Sequence, residues 1–422
     1  MNITVAGLWH LGAVTAACCS RHFSVTGFDP NPDTIDQLNQ GVPPLFEPEL
    51  SERIRAGFDL SQLRFTASPK DACASADILW VTFDTPVDDH DQSDVASVQH
   101  HLQPCLRNLP ENALVVISSQ LPVGTCRDLE SEYPNLHFAC SPENLRLGRA
   151  IESFEKADRV VVGLRNQSKQ PLLQTLFNPF TSKILWMRTE SAEMVKHSLN
   201  SFLALSITYI NEIASLCEQT GADAGEVSAG LKSDPRIGAK AYLRAGGPFS
   251  GGTLARDVVT LNQIATRNEQ TIPLLAAIKQ SNDHHRGWNL RRLTSQLSGL
   301  SGKTIALLGL TYTPNTDTLR RSAAVELCRK LLDAGASVTA FDPAVKKLPD
   351  DLSQVKLTPN IQDALCQADA VVISTEWPEF KQAHWEDLLL TMRQPVVIDP
   401  NRFLEKELKN IPGVDYLYVG RP

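Results

Sequence analysis

Short runs of apolar residues alternate with amphipathic segments over the first 185 residues of the chain. Glycine, proline or aspartate bounds several of these runs, as is common at the ends of strands. Alternation of short strands with helical segments is typical of a doubly wound parallel sheet, which has helices on both faces. The pattern predicts strands at 3–6, 24–28, 78–83, 114–118 and 159–162.

A longer helical pattern begins near residue 188. Apolar side chains recur at helical spacing from there to about residue 230, and neither proline nor glycine occurs before Gly221. A helix of this length suits the spine of a helical central domain. The same helix is a candidate dimer interface, although spacing alone does not decide this.

A second block of alternating strands and helices begins at Lys303. Its predicted strands are 304–310, 336–341, 370–374 and 395–398, and a helix is predicted at 323–332. The chain is therefore predicted to be an α/β protein with two Rossmann-like, doubly wound domains, joined by a helical central domain with a long spine helix. The predicted domains are 1–185, 186–290 and 300–422.

Composition and charge narrow the class of protein. The net charge of −8 provides no basic stripe for phosphates, so no nucleic-acid partner is expected. The nine cysteines are scattered and include no Cys-x-x-Cys pair, so neither a metal site nor a disulfide framework is expected. No apolar stretch approaches the roughly 18 residues of a membrane span, and the N-terminus lacks the basic region of a signal peptide. We expect a cytoplasmic protein with reduced, buried thiols and no membrane partner.

A glycine-containing turn follows the first predicted strand. Residues 7–12 are Gly-Leu-Trp-His-Leu-Gly, placed between a strand and a helix as in a dinucleotide-binding fingerprint. Trp9 stands where that fingerprint has its middle glycine, so the match is partial. Asp29 ends the second strand, where an aspartate accepts hydrogen bonds from the ribose hydroxyls of NAD; capping of a turn is the alternative. No arginine lies within several residues of Asp29, which favours NAD over NADP. The cofactor-binding candidates here are Gly7, Trp9, His10, Leu11, Gly12 and Asp29.

The segment 246–257 is Gly-Gly-Pro-Phe-Ser-Gly-Gly-Thr-Leu-Ala-Arg-Asp. It resembles the active-site loop of the UDP-glucose/GDP-mannose dehydrogenase family, in which a Gly-Gly-Ser-Cys-Phe-Pro-Lys-Asp run presents a cysteine nucleophile. Thr253 takes the place of that cysteine and Arg256 that of the lysine, while Asp257 matches the aspartate. The resemblance extends from residue 1 to about residue 404. It implies the layout predicted above, NAD as cofactor, and a nucleotide-sugar substrate, with a UDP-sugar favoured over a GDP-sugar.

The resemblance also implies roles for residues on the long helix and on an earlier loop. Lys196 and Asn200 lie four residues apart, hence on one helix face, and match the pair that contacts the reacting carbon of the sugar. Without the resemblance, a solvated face would be the more common interpretation of this pair. Glu143 matches the first glutamate of the family's Pro-Glu-Phe-Leu-Arg-Glu-Gly motif, and Leu147 replaces the second.

The catalytic residues implied by the resemblance are Lys196, Asn200, Asp257, Glu143 and Thr253. Thr85, Pro86 and Gln120 fall in segments that resemble the family's NAD-contacting loops. Arg236 lies in an Asp-Pro-Arg-Ile-Gly segment whose arginine reaches a substrate across a subunit boundary in the family, so a homodimer is expected. Besides Glu143, Lys196 and Asn200, the substrate-binding candidates are Asn144, Leu145, Arg236, Phe249, Gly252, Arg256, Arg320 and Arg402.

The substitutions divide by reaction step. The residues associated with NAD binding and a first hydride transfer are present, whereas those associated with trapping an aldehyde are changed together: Cys to Thr253, Glu to Leu147 and Thr to Gln120. A threonine hydroxyl without an activating base is a poor nucleophile at neutral pH. The first hypothesis is an NAD-dependent oxidoreductase of nucleotide sugars, similar to UDP-glucose 6-dehydrogenase, that is limited to one two-electron step. The alternatives are slow full oxidation to the uronic acid, a redox-neutral epimerase or dehydratase, and a non-catalytic nucleotide-sugar-binding protein.

Overall fold

The structure is a computed structural model and describes residues 1–88, 91–143, 145–249 and 252–421. The chain forms two compact units, Met1–Leu199 and Asn200–Pro422. Each unit contains one mostly or wholly parallel sheet, which confirms the predicted α/β class with two Rossmann-like sheets.

The sheet of the first unit has eight strands in the order β3-β2-β1-β4-β5-β6-β7-β8. All neighbouring strands are parallel except β6 and β7, which are antiparallel. The first six strands follow the usual 3-2-1-4-5-6 order of a dinucleotide-binding sheet. The strands are β1 (Asn2–Ala6), β2 (Ser24–Phe28), β3 (Leu63–Thr66), β4 (Ile78–Val81), β5 (Leu114–Ile117), β6 (His137–Cys140), β7 (Val160–Leu164) and β8 (Ile184–Met187).

The five strands predicted for this region form, with ends that differ by at most two residues. The sequence pattern did not indicate β3, β6 and β8, which are four residues each. Polar residues interrupt β3 and begin β6, whereas β8 is wholly apolar and was missed although its composition suits a strand. The helices of this unit are α1 (His10–Cys19), α2 (Pro32–Asn39), α3 (Leu50–Asp59), α4 (Pro69–Cys73), α5 (Val95–Leu106), α6 (Thr125–Glu132), α7 (Ala150–Glu155) and α8 (Gln170–Phe177).

The long helical pattern forms two helices. Helix α9 (Thr189–Thr220) includes the boundary between the two units, and α10 (Ala224–Ser233) follows after a break. Gly221 ends α9 with φ of 79°, a left-handed conformation that glycine adopts without steric cost. The side chain of Asp223 then caps α10 by accepting hydrogen bonds from the N–H groups of Gly225 and Glu226.

The sheet of the second unit has six parallel strands in the order β11-β10-β9-β12-β13-β14. The predicted strands of the second block form β9 (Thr304–Leu308), β10 (Ser337–Phe341), β12 (Ala370–Ile373) and β13 (Val396–Ile398). Two short strands at the sheet edges, β11 (Lys356–Leu357) and β14 (Asp415–Leu417), complete it. The remaining helices are α11 (Gly252–Arg267), α12 (Pro273–His285), α13 (Trp288–Gln296), α14 (Ala323–Asp333), α15 (Ile361–Leu365), α16 (Trp385–Leu390) and α17 (Glu405–Leu408).

Each sheet is covered by a hydrophobic cluster on each face. Strands β1, β4, β5, β9, β12 and β13 are buried at nearly every position, as expected for the central strands of a parallel sheet covered by helices on both faces. A smaller cluster joins α9, α11 and α12 in the second unit. The carboxyl ends of the central strands are therefore held by packed layers, which positions the loops that follow them.

Candidate active site

In the turn after β1, the two glycine positions leave no room for a side chain. Gly7 has φ of 95°, and its N–H donates to the carbonyl of Phe28 at 2.8 Å. A Cβ on Gly7 would lie 2.5 Å from the backbone of Phe83, and a Cβ on Gly12 would overlap the carbonyl of Gly7. The two glycines therefore let β1, the turn and α1 approach as a dinucleotide site requires.

Trp9 occupies the N-cap position of α1 with φ of −70°, a conformation open to any residue. The conformation of this residue therefore does not require glycine, and what the fingerprint's middle glycine provides is room for the pyrophosphate. The side chain is 38% exposed and does not cap the helix. The first N–H groups of a helix lack intrahelical partners, so the start of α1 suits a bound anion such as a pyrophosphate.

Asp29 accepts two backbone hydrogen bonds at the end of β2. The N–H of Leu8 donates to one carboxylate oxygen at 2.8 Å, and the N–H of Asn31 donates to the other at 3.0 Å. The turn-capping role is thus present. A carboxylate has about four acceptor sites, so the half-buried Asp29 retains capacity for the ribose hydroxyls of NAD. The turn, the helix start and this carboxylate fit the cofactor.

The loops after β4 and β5 bind each other beside this turn. The buried hydroxyl of Thr85 donates to the carbonyl of Gln120 at 2.9 Å, and the hydroxyl of Ser119 donates to the carbonyl of Phe83 at 2.8 Å. Pro86 lies in the same loop, and its carbonyl accepts from Asp94 at 2.8 Å. The structure therefore brings Thr85 and Gln120 together, as candidates for one cofactor-binding surface.

Lys196 contacts the loop that contains Glu143. The half-buried ammonium of Lys196 donates to the backbone carbonyl of Glu143 at 2.6 Å. The Glu143 carboxylate accepts from the N–H of Leu145, whose side chain packs on the core of the unit. Asn144 lies outside the described residues.

Two glutamates that sequence reasoning missed organise this unit. Glu193 on α9 accepts from the N–H groups of Gly124 at 2.6 Å and Cys126 at 2.9 Å, and so caps α6. Glu47 accepts from the ring Nε2 of His10 at 2.9 Å and from two N–H groups of the 148–150 segment. Their partners are 67 to 103 residues away except for His10, so no local motif identifies them.

In the second unit, Asn200 and Asp257 form a buried pair. The side-chain amide of Asn200 donates to the carboxylate of Asp257, which is fully buried. Asp257 and the buried Arg256 lie in the second turn of α11, and Thr253 is exposed in its first turn next to the half-buried Gly252. Ser250 and Gly251, which precede this helix, lie outside the described residues.

The segment before α11 is held by three buried side chains that sequence reasoning did not single out. Asn282 accepts from the N–H of Phe249 at 2.9 Å and donates to its carbonyl at 3.0 Å. Asn211 accepts from the N–H of Gly246 at 3.0 Å, and the ring Nε2 of His285 lies 2.7 Å from the Gly246 carbonyl. The side chain of Phe249 packs in the small cluster of α9, α11 and α12. These contacts fix the backbone through residue 249.

The three remaining arginine candidates differ in their surroundings. Arg402 lies between Asp223 at 3.1 Å and Glu405 at 2.7 Å, with its guanidinium 4.4 Å from the ring centre of Tyr418. Although burial lowers the pKa of Arg402, the contacts with Glu405, Tyr418 and Asp223 outweigh it and raise the pKa. Arg236 is 89% exposed and pairs with Asp234 at 2.6 Å, and Arg320 is exposed in the loop before α14.

A sheet in the 3-2-1-4-5-6 order, with a glycine turn that leads directly into a helix and an aspartate at the end of the second strand, defines a dinucleotide-binding domain of the kind found in NAD-dependent dehydrogenases. Comparison with known proteins agrees. The NAD binding domain of the UDP-glucose/GDP-mannose dehydrogenase family matches residues 1–181, its central domain 190–284 and its UDP binding domain 306–406. The chain belongs to this family. It is an NAD-dependent oxidoreductase that acts on a CH–OH group of a nucleotide sugar of the UDP type.

Individual relatives match the chain over its whole length. UDP-glucose 6-dehydrogenase YwqF of Bacillus subtilis is 34% identical, over 100% of this chain and 98% of the relative. UDP-glucose 6-dehydrogenase of Rickettsia typhi is 32% identical, over 100% and 99%. The UDP-glucose dehydrogenase structure from Pyrobaculum islandicum superposes with a TM-score of 0.88 at 27% identity, covering 100% of this chain and 98% of the other.

Across the described residues, the structure contains no helix that combines the length and the apolar character needed to cross a membrane.

Proposed function

We propose that the protein oxidises a UDP-hexose, such as UDP-glucose, and that it stops after one two-electron step. The alcohol carbon loses a hydride to NAD⁺ and its hydroxyl loses a proton, giving a carbonyl compound, NADH and H⁺. The names of the relatives support UDP-glucose as substrate. The limit to one step rests on the chemistry available to this chain.

The residues proposed for the first step are those that interact in the structure. NAD, when bound, accepts the hydride. Lys196 is oriented by the Glu143 carbonyl, and the positive charge of its ammonium group stabilises an alkoxide as it forms. Asn200, held by the buried Asp257, positions a hydroxyl of the sugar.

The observation that supports a single step is the state of the thiols. Eight of the nine cysteines are buried, and burial raises the pKa of Cys328 to about 12, so this thiol is uncharged at neutral pH. Cys217 lies 17 residues beyond Asn200 on the same helix, which places it about 25 Å away. The exposed Cys366 directly follows α15, a helix of the six-stranded sheet. At the place where the family has its nucleophile, the exposed side chain is the hydroxyl of Thr253.

The decisive experiment is the NADH yield per nucleotide sugar consumed, measured by absorbance together with product mass spectrometry over a panel of UDP- and GDP-hexoses. One NADH and a product lighter by two hydrogens is the expected result. Two NADH and a uronic acid would show that another route replaces the missing thiol. No turnover with retained binding would contradict catalysis, and a product without net NADH would contradict a net oxidation and favour the redox-neutral alternative.

Two variants make this measurement specific to the site. Lys196→Ala should lose hydride transfer while it still binds NAD, and equal turnover in that variant would contradict its role. Thr253→Cys should restore acid formation only weakly, because Leu147 and Gln120 still differ from the family pattern. Full recovery from that one change would show that the other two differences are unimportant.

We propose that the active form is a homodimer that uses the exposed face of α9. Phe202, Tyr209 and Leu216 follow one another at intervals of seven residues and are 64%, 46% and 62% exposed, which gives one apolar stripe along the helix. The exposed Arg236 suits a substrate contact across the subunit boundary. Light scattering should give twice the chain mass, and Leu216→Lys should shift it towards the monomer. A monomeric wild type would refute this assembly.

We also propose a cytoplasmic location. All nine cysteines, each within the described residues, are thiols without a disulfide. Such usage suits a reducing compartment, where buried thiols persist. Fractionation of the source cells tests this, and recovery of the protein outside the cytoplasm would contradict it.

A further inference from the structure

The Glu47 carboxylate joins two elements of the first unit that the proposed site depends on. One of its oxygens lies 2.9 Å from the ring Nε2 of His10, the first residue of α1, and accepts from the N–H of Gly148 at 2.9 Å. The other oxygen accepts from the N–H of Ala150, the first residue of α7, at 2.7 Å. Glu47 and His10 are 3% and 6% exposed. A single buried carboxylate therefore contacts the start of the cofactor helix and the start of α7.

The segment before α7 depends on this contact because it has no cap of its own. Arg149, at the N-cap position, makes no side-chain capping hydrogen bond. Gly148 has φ of 81°, so the chain enters α7 through a left-handed turn. Burial tends to raise the pKa of Glu47, but the hydrogen bonds from His10, Ala150 and Gly148 outweigh it and lower the pKa below its usual value. Glu47 is therefore ionised at neutral pH and caps α7 as a carboxylate.

The same segment begins at the residue that orients Lys196. Glu143 provides the carbonyl to which the Lys196 ammonium donates. Contacts thus run from the start of α1, through His10 and Glu47, to residues 148–150, and Glu143 lies five residues before Gly148 in the chain.

We propose that Glu47 is a positioning residue for hydride transfer, which couples NAD binding at the start of α1 to the placement of residues 143–150 and Lys196. The proposal rests on the role of Lys196 stated above. Glu47 itself touches neither the substrate nor the reacting atoms.

Helix α7 offers a matched control at its other end. Glu155, the last residue of α7, forms salt bridges with Arg21 at 2.8 Å and with Arg53 at 3.2 Å. Arg21 follows α1, and Arg53 lies in α3. Glu155→Gln therefore weakens the anchoring of α7 to the same neighbouring elements without touching residues 143–150. Glu47→Gln replaces one acceptor oxygen of Glu47 by an NH2 group, which faces an N–H donor and so cannot accept its hydrogen bond.

The first readout separates catalysis from binding. In Glu47→Gln we expect kcat to fall by about 10- to 100-fold, since small displacements of a catalytic group have effects of this size. The KM for the nucleotide sugar should stay within about threefold. Glu155→Gln should stay within about twofold of the wild type in both constants. A folded Glu47→Gln variant with wild-type kcat would overturn the proposal, and equal losses in both variants would reduce Glu47 to an anchor of α7.

The second readout does not need turnover. Hydrogen exchange of the peptide covering residues 145–151 should slow on addition of NAD in the wild type and in Glu155→Gln, and this NAD-dependent protection should be absent from Glu47→Gln. Unchanged protection in Glu47→Gln would overturn the coupling. If the wild type oxidises no nucleotide sugar, the proposed function fails, and the exchange measurement still decides the coupling.

His10→Leu, measured at saturating NAD, provides the same exchange test without disturbing the cap of α7, should Glu47→Gln fail to fold. It removes the hydrogen bond from the imidazole and leaves Glu47 bonded to Gly148 and Ala150. NAD-dependent protection of residues 145–151 should be reduced. Full protection in this variant would show that the coupling does not pass through His10 and Glu47.

Discussion

The two sheets contain the same glycine turn, built from the same Gly-Leu pair. Gly7 and Gly309 have φ of 95° and 86°, and each donates its N–H to the last residue of the neighbouring strand at 2.8 Å. The N–H of Leu8 donates to Asp29 at 2.8 Å, and that of Leu310 donates to Asp342 at 2.6 Å. Both leucines are fully buried. The turn and its aspartate therefore form one structural unit that occurs twice.

The difference lies in what surrounds the two aspartates. Asp342 is 4% exposed and accepts six hydrogen bonds, from Leu310, twice from Thr311, and from Ala344, Val345 and Trp377. Asp29 is half-buried and accepts from Leu8 and Asn31. Helix α1 begins three residues after Gly7, whereas α14 begins fourteen residues after Gly309. The same turn is closed by protein groups in the second sheet and left accessible to a ligand in the first.

The first prediction concerns the closed turn and has the largest expected effect. Asp342→Ala should lower the free energy of unfolding by about 4 kcal/mol, because it leaves several buried donors without an acceptor. Asp29→Ala should lower it by about 1 kcal/mol, since it frees two donors instead of six and one of them belongs to the exposed Asn31. Urea unfolding followed by circular dichroism measures both. Equal losses in the two variants would remove the distinction between the turns.

The second prediction concerns NAD binding, for which the larger effect is expected at Asp29 and the smaller at Asp342. Asp29→Ala should raise the KM for NAD by about 10- to 100-fold, which corresponds to about 1.4–2.7 kcal/mol of lost binding free energy. Asp342→Ala, assayed where it is folded, should leave this KM within about twofold. Steady-state kinetics against NAD decide the matter. An unchanged KM in Asp29→Ala would mean that this carboxylate only stabilises its turn.

The two units also differ in the titratable side chain that holds a segment near the proposed site, and this difference predicts a pH dependence of the stability. Burial lowers the pKa of His285, which contacts Gly246 in the second unit, below the usual 6.5. The unfolded chain therefore binds a proton below about pH 6.5 that the native chain does not, so stability falls as the pH decreases through this range. Glu47, which holds residues 148–150 of the first unit, has a pKa lowered from its usual value and therefore stays charged in this pH range.

This loss is limited to about 1.4 kcal/mol per pH unit for one proton. Urea midpoints between pH 5 and 7.5 should therefore fall towards acid in the wild type and fall less steeply in His285→Gln. Parallel curves for the two proteins would exclude His285 as the source.

Sequence and structure agree where local patterns decide the outcome. The central strands are continuous apolar runs, and the turn at Gly7 has its glycines at recognisable spacing, so both could be predicted. The short strands β3 and β6 are stabilised by neighbours rather than by their own composition, and Gly221 outweighed the helical pattern that continues beyond it. The repeat of the two blocks was visible in outline, but not the shared Gly-Leu turn with its aspartate.

The site could be predicted only where residues match a motif. Glu47, Asn211 and Asn282 are single polar residues whose partners lie 33 to 103 residues away, and one sequence contains no record of such contacts. Arg402 illustrates the opposite case. A motif predicts it as a substrate ligand, and the structure adds that its guanidinium contacts Asp223, Glu405 and Tyr418. A motif identifies the residue type at a position, whereas the charged groups that surround that residue can be known only from the fold.

The smallest predicted effect concerns the residue that follows the Gly-Leu pair. Thr311 is buried and its hydroxyl contacts Asp342 at 3.3 Å, whereas Trp9 is 38% exposed and has a φ that any residue adopts. Thr311→Gly should therefore lower the free energy of unfolding by about 1–2 kcal/mol. Trp9→Gly should change the KM for NAD by less than about threefold, or about 0.7 kcal/mol, because Gly7 and Gly12 already set the backbone of the turn. A tenfold fall in this KM would show instead that the Trp9 side chain obstructs the cofactor. The turn at Gly7 would then be less accessible to NAD than its hydrogen bonds indicate.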